Sequence, residues 1–308
     1  MLPEDNQPVE LACSKPCNYT KMTKSSEWKK IHPNASFVHY CQNETVHGYQ
    51  FKDGLDDDQS THFPFHLVPQ GVPVVCDMSS DIGARPIDFT KFGVIYAGAQ
   101  KNLGTSGCTV VIIREDLIGK QAKDTPFLLD WNLFDKSPNG YFNTPACYPI
   151  YVTGLNLAHM VENGGLGTYE KLAEVRSKMI YDMIEGSNGF FTNSIDKSFR
   201  STINIPFRIN PANEDSTKYT SLELKFLEDA AEIDLVQLKG HSSNPGIRAS
   251  MYNAMDVEGV EKLIQLMKQF QATHESKLGF QKISKRSPAY KMSNEFEVEG
   301  LTPATHLI

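Results

Sequence analysis

Four short apolar runs within the first 116 residues constrain this chain more than any other feature: Ser36 to Tyr40 (SFVHY), Val72 to Cys76 (VPVVC), Phe92 to Ala97 (FGVIYA) and Cys108 to Arg114 (CTVVIIR). Each is rich in β-branched residues and almost continuously apolar, as expected of strands covered on both faces by helices. Segments rich in Gly, Pro, Asp and Ser, such as DGLDDDQS and SSDIGARPID, punctuate them. From Ile150 the period becomes helical. One segment ends at Asn163-Gly164-Gly165, and a second runs from a Thr168 cap to Gly186 with Leu172, Val175, Met179, Ile180 and Met183 on one face. A further α/β set follows: a strand from Ile203 to Ile209, a helix around Leu222 to Ala231, the strand-like run LVQLKG, and a helix from an Asp256 cap to about Gln271. In that last helix Val260, Leu263, Ile264, Met267 and Phe270 form the apolar stripe. The pattern predicts an α/β chain with a large domain over residues 1–165, a small C-terminal domain over 166–272, and a polar, disordered tail over 273–308.

With 308 residues, 40% of them hydrophobic and 22% charged, the chain can bury two cores. A net charge of -7 argues against nucleic acid as a partner. No stretch approaches the roughly 20 apolar residues of a membrane span, and MLPEDNQPVELA at the N-terminus is acidic and lacks the apolar core of a signal peptide. A cytoplasmic protein without membrane partners is expected. The cysteines (Cys13, Cys17, Cys41, Cys76, Cys108 and Cys147) are irregularly spaced and three lie in or beside apolar runs, which suits buried thiols better than a disulfide framework or a metal site. Asn18, Asn34 and Asn43 begin glycosylation triplets that, with no secretory signal, are read as chance matches.

Two residues carry chemical interest by placement. Asp77 directly follows VPVVC, so it should emerge at the carboxyl end of a strand, where open α/β sheets bind ligands. Lys101 follows FGVIYAGAQ with Gly98 before it and Gly104 and Gly107 after it, giving an amine in a loop that allows close approach. Singly, an Asp after a strand is commonly a turn or cap residue, and a Lys in a Gly-rich loop is commonly solvated. Together they offer what pyridoxal chemistry requires: an amine for a Schiff base and an acid to keep the pyridine nitrogen protonated.

Longer strings add a resemblance. Asn43 to Gly48 (NETVHG), Cys76 to Ser80 (CDMSS), Ala97 to Asn102 (AGAQKN), Asn143 to Pro145 (NTP), Asn204 to Arg208 (NIPFR), Lys239 to His241 (KGH) and Gly246 to Ser250 (GIRAS) resemble, in order, the phosphoserine aminotransferase family across about Tyr19 to Phe270. The resemblance implies the fold-type-I architecture of class V, with a three-layer α/β/α large domain and a smaller α+β domain. It implies pyridoxal 5'-phosphate as cofactor, with Lys101 as the Schiff-base lysine and proton shuttle and Asp77 as the pyridine-nitrogen partner. Thr45 would lie at the ring-hydroxyl side of the cofactor and Gln100 at its phosphate. Asn143 and Thr144 would reach the phosphate of a neighbouring subunit, hence a homodimer. Arg248 would clamp the substrate α-carboxylate and His241 would help hold its distal anion. The reaction implied moves an amino group from glutamate to 3-phosphohydroxypyruvate, giving phosphoserine and 2-oxoglutarate in serine biosynthesis.

Two departures qualify the resemblance. The family's chain begins earlier, in a stretch carrying a Gly-rich phosphate turn, a ring-stacking aromatic and a His-Arg pair, none of which is found in Met1 to Thr20. A shortened large domain with uncovered apolar faces is therefore expected, along with an alternative role as an impaired chain that dimerises with or regulates a full-length aminotransferase. Ser242 and Pro245 also replace the Arg and Gly of the family's pattern, removing a cation near the distal anion and fixing φ in that loop.

Overall fold

The computed structural model describes residues 8–52, 61–209 and 217–275. Its strands are β1 (Val38–Cys41), β2 (Asn43–Glu44), β3 (Tyr49–Gln50), β4 (Val74–Asp77), β5 (Val94–Gly98), β6 (Thr109–Ile113), β7 (Phe191–Thr192), β8 (Asn204–Ile209), β9 (Lys239–His241) and β10 (Asn244–Ser250). Its helices are α1 (Trp131–Asp135), α2 (Cys147–Glu162), α3 (Gly165–Gly186), α4 (Ser221–Glu232) and α5 (Val257–His274). The α/β class read from the sequence holds, and each apolar run contributes a strand.

The first sheet has the order β1-β4-β5-β6, with β1, β4 and β5 parallel and β6 antiparallel to β5. Burial alternates along β4 and β5, in contrast to the two-sided cover expected of continuous apolar runs. One face, carrying Val38, Tyr40, Val74, Cys76, Ile95 and Ala97, packs on a core with Phe51, Phe63 and Phe92. The other, carrying His39, Cys41, Asp77 and Tyr96, is more open among the described residues. Tyr40 stacks on Phe63 with ring centroids 3.9 Å apart, and each such buried aromatic contributes roughly 1.5–3 kcal/mol.

The second sheet, β7-β8-β10-β9, is antiparallel and packs against α3, α4 and α5. Phe190, Phe191, Phe207, Phe226 and Phe270 meet edge to face in this second core. Asp256 caps α5 as expected, its carboxylate accepting from the Gly259 N–H at 2.6 Å. That helix continues to His274, so the first residues assigned to the tail are helical, and 276–308 lie outside the described residues. α3 starts at Gly165 behind Gly164 (φ +90°), ahead of the expected Thr168 cap. On its inner face Ile180 is joined by Tyr169, Ala173, Arg176, Ser177 and Ile184, while Val175 points outward. The cysteines are free, but against the expectation of buried thiols only Cys76 is buried, and Cys147 is exposed. No described helix is long and apolar enough to cross a membrane.

A buried polar joint links the sheets. Asn43, 1% exposed, donates to Ser80 Oγ and Asn204 Oδ1 at 2.8 Å each and accepts from Ser201 Oγ at 2.6 Å. Its burial leaves no room for a glycan at that triplet.

Candidate active site

The carboxyl ends of β1, β4 and β5 converge because the strands run parallel in register: Cys41 pairs with Asp77, and Asp77 with Tyr96. Asp77 closes β4 and accepts the Ser79 N–H at 2.9 Å, while Ser79 Oγ accepts from the Gly98 N–H at 3.2 Å. These bonds tie the turn after β4 to the end of β5. Lys101 lies on the following turn, and its Nζ donates to Thr45 Oγ1 at 3.0 Å. Thr45 sits between β2 and β3, in a turn whose Glu44 carboxylate accepts the N–H groups of Val46 (3.0 Å) and His47 (2.5 Å). From the second sheet, Arg248 Nη1 approaches the Thr45 carbonyl at 3.4 Å, and Asn244 Nδ2 donates to the Val46 carbonyl at 2.9 Å.

Electrostatics agree with this grouping. Burial lowers the Lys101 amine below an ordinary lysine, the carboxylates Asp77 and Glu44 oppose the shift, and Arg248 reinforces it. Burial, then the Asp77 charge, pushes the Cys41 thiol up to about 12, so it is neutral at physiological pH. Behind Asp77, Tyr96 is also pushed up to about 12, by burial and then by the charge and hydrogen bond of Asp77. Its hydroxyl lies 2.9 Å from His39 Nε2. The Tyr252 ring centroid is 6.0 Å from Lys101 Nζ.

Of the residues singled out from sequence, Lys101, Asp77, Thr45 and Arg248 come together. Gln100 is exposed and its amide folds back against Gly98, where a Cβ would collide with it. Asn143 and Thr144 are exposed on the loop before α2. His241 is exposed in the β9–β10 hairpin, its Nδ1 2.7 Å from Ser243 Oγ. Sequence reasoning missed Cys41, Tyr96, His39, Asn102 and Tyr252. Register explains the first two, which share a row with Asp77 and could be found once the strands are aligned. Contacts of His39, Asn102 and Tyr252 depend on pairing or docking that no local pattern encodes.

An amine, a carboxylate and a hydroxyl in one cluster are the groups a pyridoxal ring requires. Arg248 Nε is buried and has no hydrogen-bond partner among the described residues, an arrangement that calls for an anion. The donors present in the cluster thus fit a ring and a carboxylate. Phosphate donors are less gathered, since Gln100, Asn143 and Thr144 all face solvent.

A model of the aminotransferase class-V family matches residues 8–263. Phosphoserine aminotransferase of Drosophila melanogaster is 46% identical over 262 residues, covering 85% of this chain and 67% of the fly protein. Phosphoserine aminotransferase 1, chloroplastic, of Arabidopsis thaliana is 45% identical over 256 residues, covering 83% of this chain and 54% of the plant protein. The solved phosphoserine aminotransferase of Bacillus circulans subsp. alkalophilus superposes with a TM-score of 0.74 at 38% identity, covering 85% of this chain and 66% of that one. The chain therefore spans about half to two thirds of the length of these relatives.

Proposed function

We propose, because this chain belongs to the aminotransferase class-V family, that it is a phosphoserine aminotransferase using pyridoxal 5'-phosphate. It would move an amino group from glutamate to 3-phosphohydroxypyruvate, giving phosphoserine and 2-oxoglutarate. The observation that carries this reading is Lys101: a half-buried amine of lowered basicity that donates to Thr45, with Asp77 and Arg248 acting on it electrostatically.

Pyridoxal phosphate, when bound, supplies an aldehyde carbon for exchange of the amino group and an electron-poor ring. Lys101 would hold it covalently and move the proton at the substrate α-carbon, a task favoured by an amine that loses its proton easily. Asp77 would keep a proton on the ring nitrogen, and Thr45 would hold the amine in line. Arg248, with its unpartnered buried Nε, would bind the α-carboxylate. His241 would hold the distal anion from the hairpin, where Ser242 supplies a hydroxyl and no charge. Gln100, and Asn143 and Thr144 of a second copy in a homodimer, would hold the phosphate. Small charged substrates and a cytoplasmic location complete the reading.

The test is to add pyridoxal phosphate to the purified chain, fix it with borohydride and locate the label by peptide mass spectrometry. Label on Lys101 is expected, together with loss of attachment in Lys101→Ala and a fall of about 10²–10⁴-fold or more in amino transfer. Label elsewhere, or none, overturns the assignment. The uncovered apolar residues of α2, among them Tyr148, Tyr151 and Val161, favour one second reading: a chain that dimerises with or regulates a longer aminotransferase. It predicts co-purification with that subunit and no turnover alone.

A further inference from the structure

Lys101 is followed by Asn102, which is 3% exposed and hydrogen-bonded through both ends of its amide. Asn102 Nδ2 donates to the Ile82 carbonyl at 3.0 Å, and Oδ1 accepts the Asn253 N–H at 3.0 Å. The Asn102 carbonyl accepts from Asn156 Nδ2, on α2, at 2.8 Å. Asn253 in turn donates its Nδ2 to the Gly83 carbonyl at 2.8 Å. The loop between β10 and α5 thus grips two consecutive residues, with the Tyr252 ring 6.0 Å from the Lys101 amine and Asn253 bonded to Asn102. Arg176 of α3 braces that loop from behind, its guanidinium donating to the carbonyls of Tyr252 (3.3 Å) and Met255.

We propose that Asn102 and Asn253 are a positioning pair that couples the placement of the second sheet, which carries Arg248, to the aim of the Lys101 amine. The proposal rests on the reading of Lys101 as the cofactor-holding residue. Its physical basis is that the Asn102 side chain bonds both to the segment after Asp77 and to the loop after Arg248, and Asn253 adds a second bond between that loop and that segment. Thr45 holds the Lys101 amine at its tip, while the Gly-flanked turn beneath it relies on Asn102 to stay in place. The bond to Ile82 is buried and the one from Asn253 is partly buried, so losing them leaves the Ile82 carbonyl and the Asn253 N–H unpaired and lets the turn drift. A misplacement of about 1 Å at a reacting group can cost on the order of 10²-fold in rate.

The experiment follows attachment of pyridoxal phosphate to the full chain by visible absorbance and borohydride-fixed label, in wild type, Asn102→Ala, Asn253→Ala and Asn193→Ala. Asn193 is the control for a purely structural loss: its side chain bridges the Pro206 carbonyl and the Ile195 N–H, away from Lys101. Attachment in Asn102→Ala is expected to slow by about 10-fold or more, while Asn193→Ala keeps the wild-type rate even where its melting temperature falls as far. Asn253→Ala keeps its N–H toward Asn102 and loses the bond to Gly83, so an intermediate slowing is expected. It also decides the matter should Asn102→Ala not fold, since an unchanged rate there overturns the proposal. Equal rates in Asn102→Ala and Asn193→Ala overturn it as well. A wild-type chain that attaches no cofactor overturns the assignment of Lys101 first, and this inference with it.

Discussion

Burial and two neighbouring charges decide whether the Lys101 amine can act, and they pull in opposite directions. Burial and the Arg248 charge disfavour its protonated form, whereas Asp77 favours it. An amine attacks only when unprotonated, so attachment should rise as pH passes upward through the folded-state pKa, with a midpoint below that of an ordinary lysine. Arg248→Met should move this midpoint up and Asp77→Asn should move it down, both read from the pH dependence of the attachment rate. A midpoint that ignores both substitutions would mean that neither charge faces the amine. Lys101, Asp77 and Thr45 were legible in the sequence because strand ends and family strings point to them. Tyr96 and His39 were not, since each occupies an alternate position in an apolar strand and their 2.9 Å contact exists only across β4.

The element that joins the parts is the turn from Asn43 to Gly48, between β2 and β3. Gly48 has φ +78°, and a Cβ there would lie 2.6 Å from the Asn204 carbonyl oxygen and collide with the Pro206 ring. Gly48→Ala should therefore destabilise by more than the ~1 kcal/mol that a strained backbone alone costs. Asn43→Ala should cost on the order of 1–3 kcal/mol, because Ser80, Ser201 and Asn204 each lose a buried partner. Urea unfolding measures both, and a loss below about 0.5 kcal/mol for either would show that the joint relaxes around the change. The Thr220 capping box that starts α4 was not picked out, whereas helix α5 was readable from its Asp256 cap and apolar stripe. The start of α3 was not, because Gly164, Gly165 and Gly167 read as a loop while the protein uses a left-handed Gly164 as the cap. β10 escaped notice since Pro245 and Gly246 interrupt its apolar pattern, yet its register on β8 is what brings Arg248 to Thr45.

At the scale of the molecule, two groups of apolar residues at a distance from Lys101 in sequence are exposed. Phe127, Leu128 and Leu129 are about 60% exposed, and Tyr148, Tyr151 and Val161 on α2 are 64–75% exposed, and exposed apolar groups of this kind mark interaction surfaces where they are contiguous. Asn143 and Thr144 lie on the loop between these two groups. If that region is where two copies meet, each copy lends its Asn143 and Thr144 to the other's cofactor site, and the sites are interdependent in a way that mixing can reveal. A dimer of Lys101→Ala chains has no attaching amine, and a dimer of Asn143→Ala, Thr144→Ala chains lacks the lent phosphate donors at both sites. Mixed dimers differ: the intact Lys101 of one chain faces the intact donors of the other, so one site of the two is whole. Random exchange at equal amounts makes half the dimers mixed, and activity should return to about a quarter of wild type. Each variant also needs its partner to dimerise normally, which sedimentation of the separate variants checks. Recovery absent from properly dimeric mixtures would place Asn143 and Thr144 outside the site, and with them the reason for reading the exposed α2 face as the meeting surface.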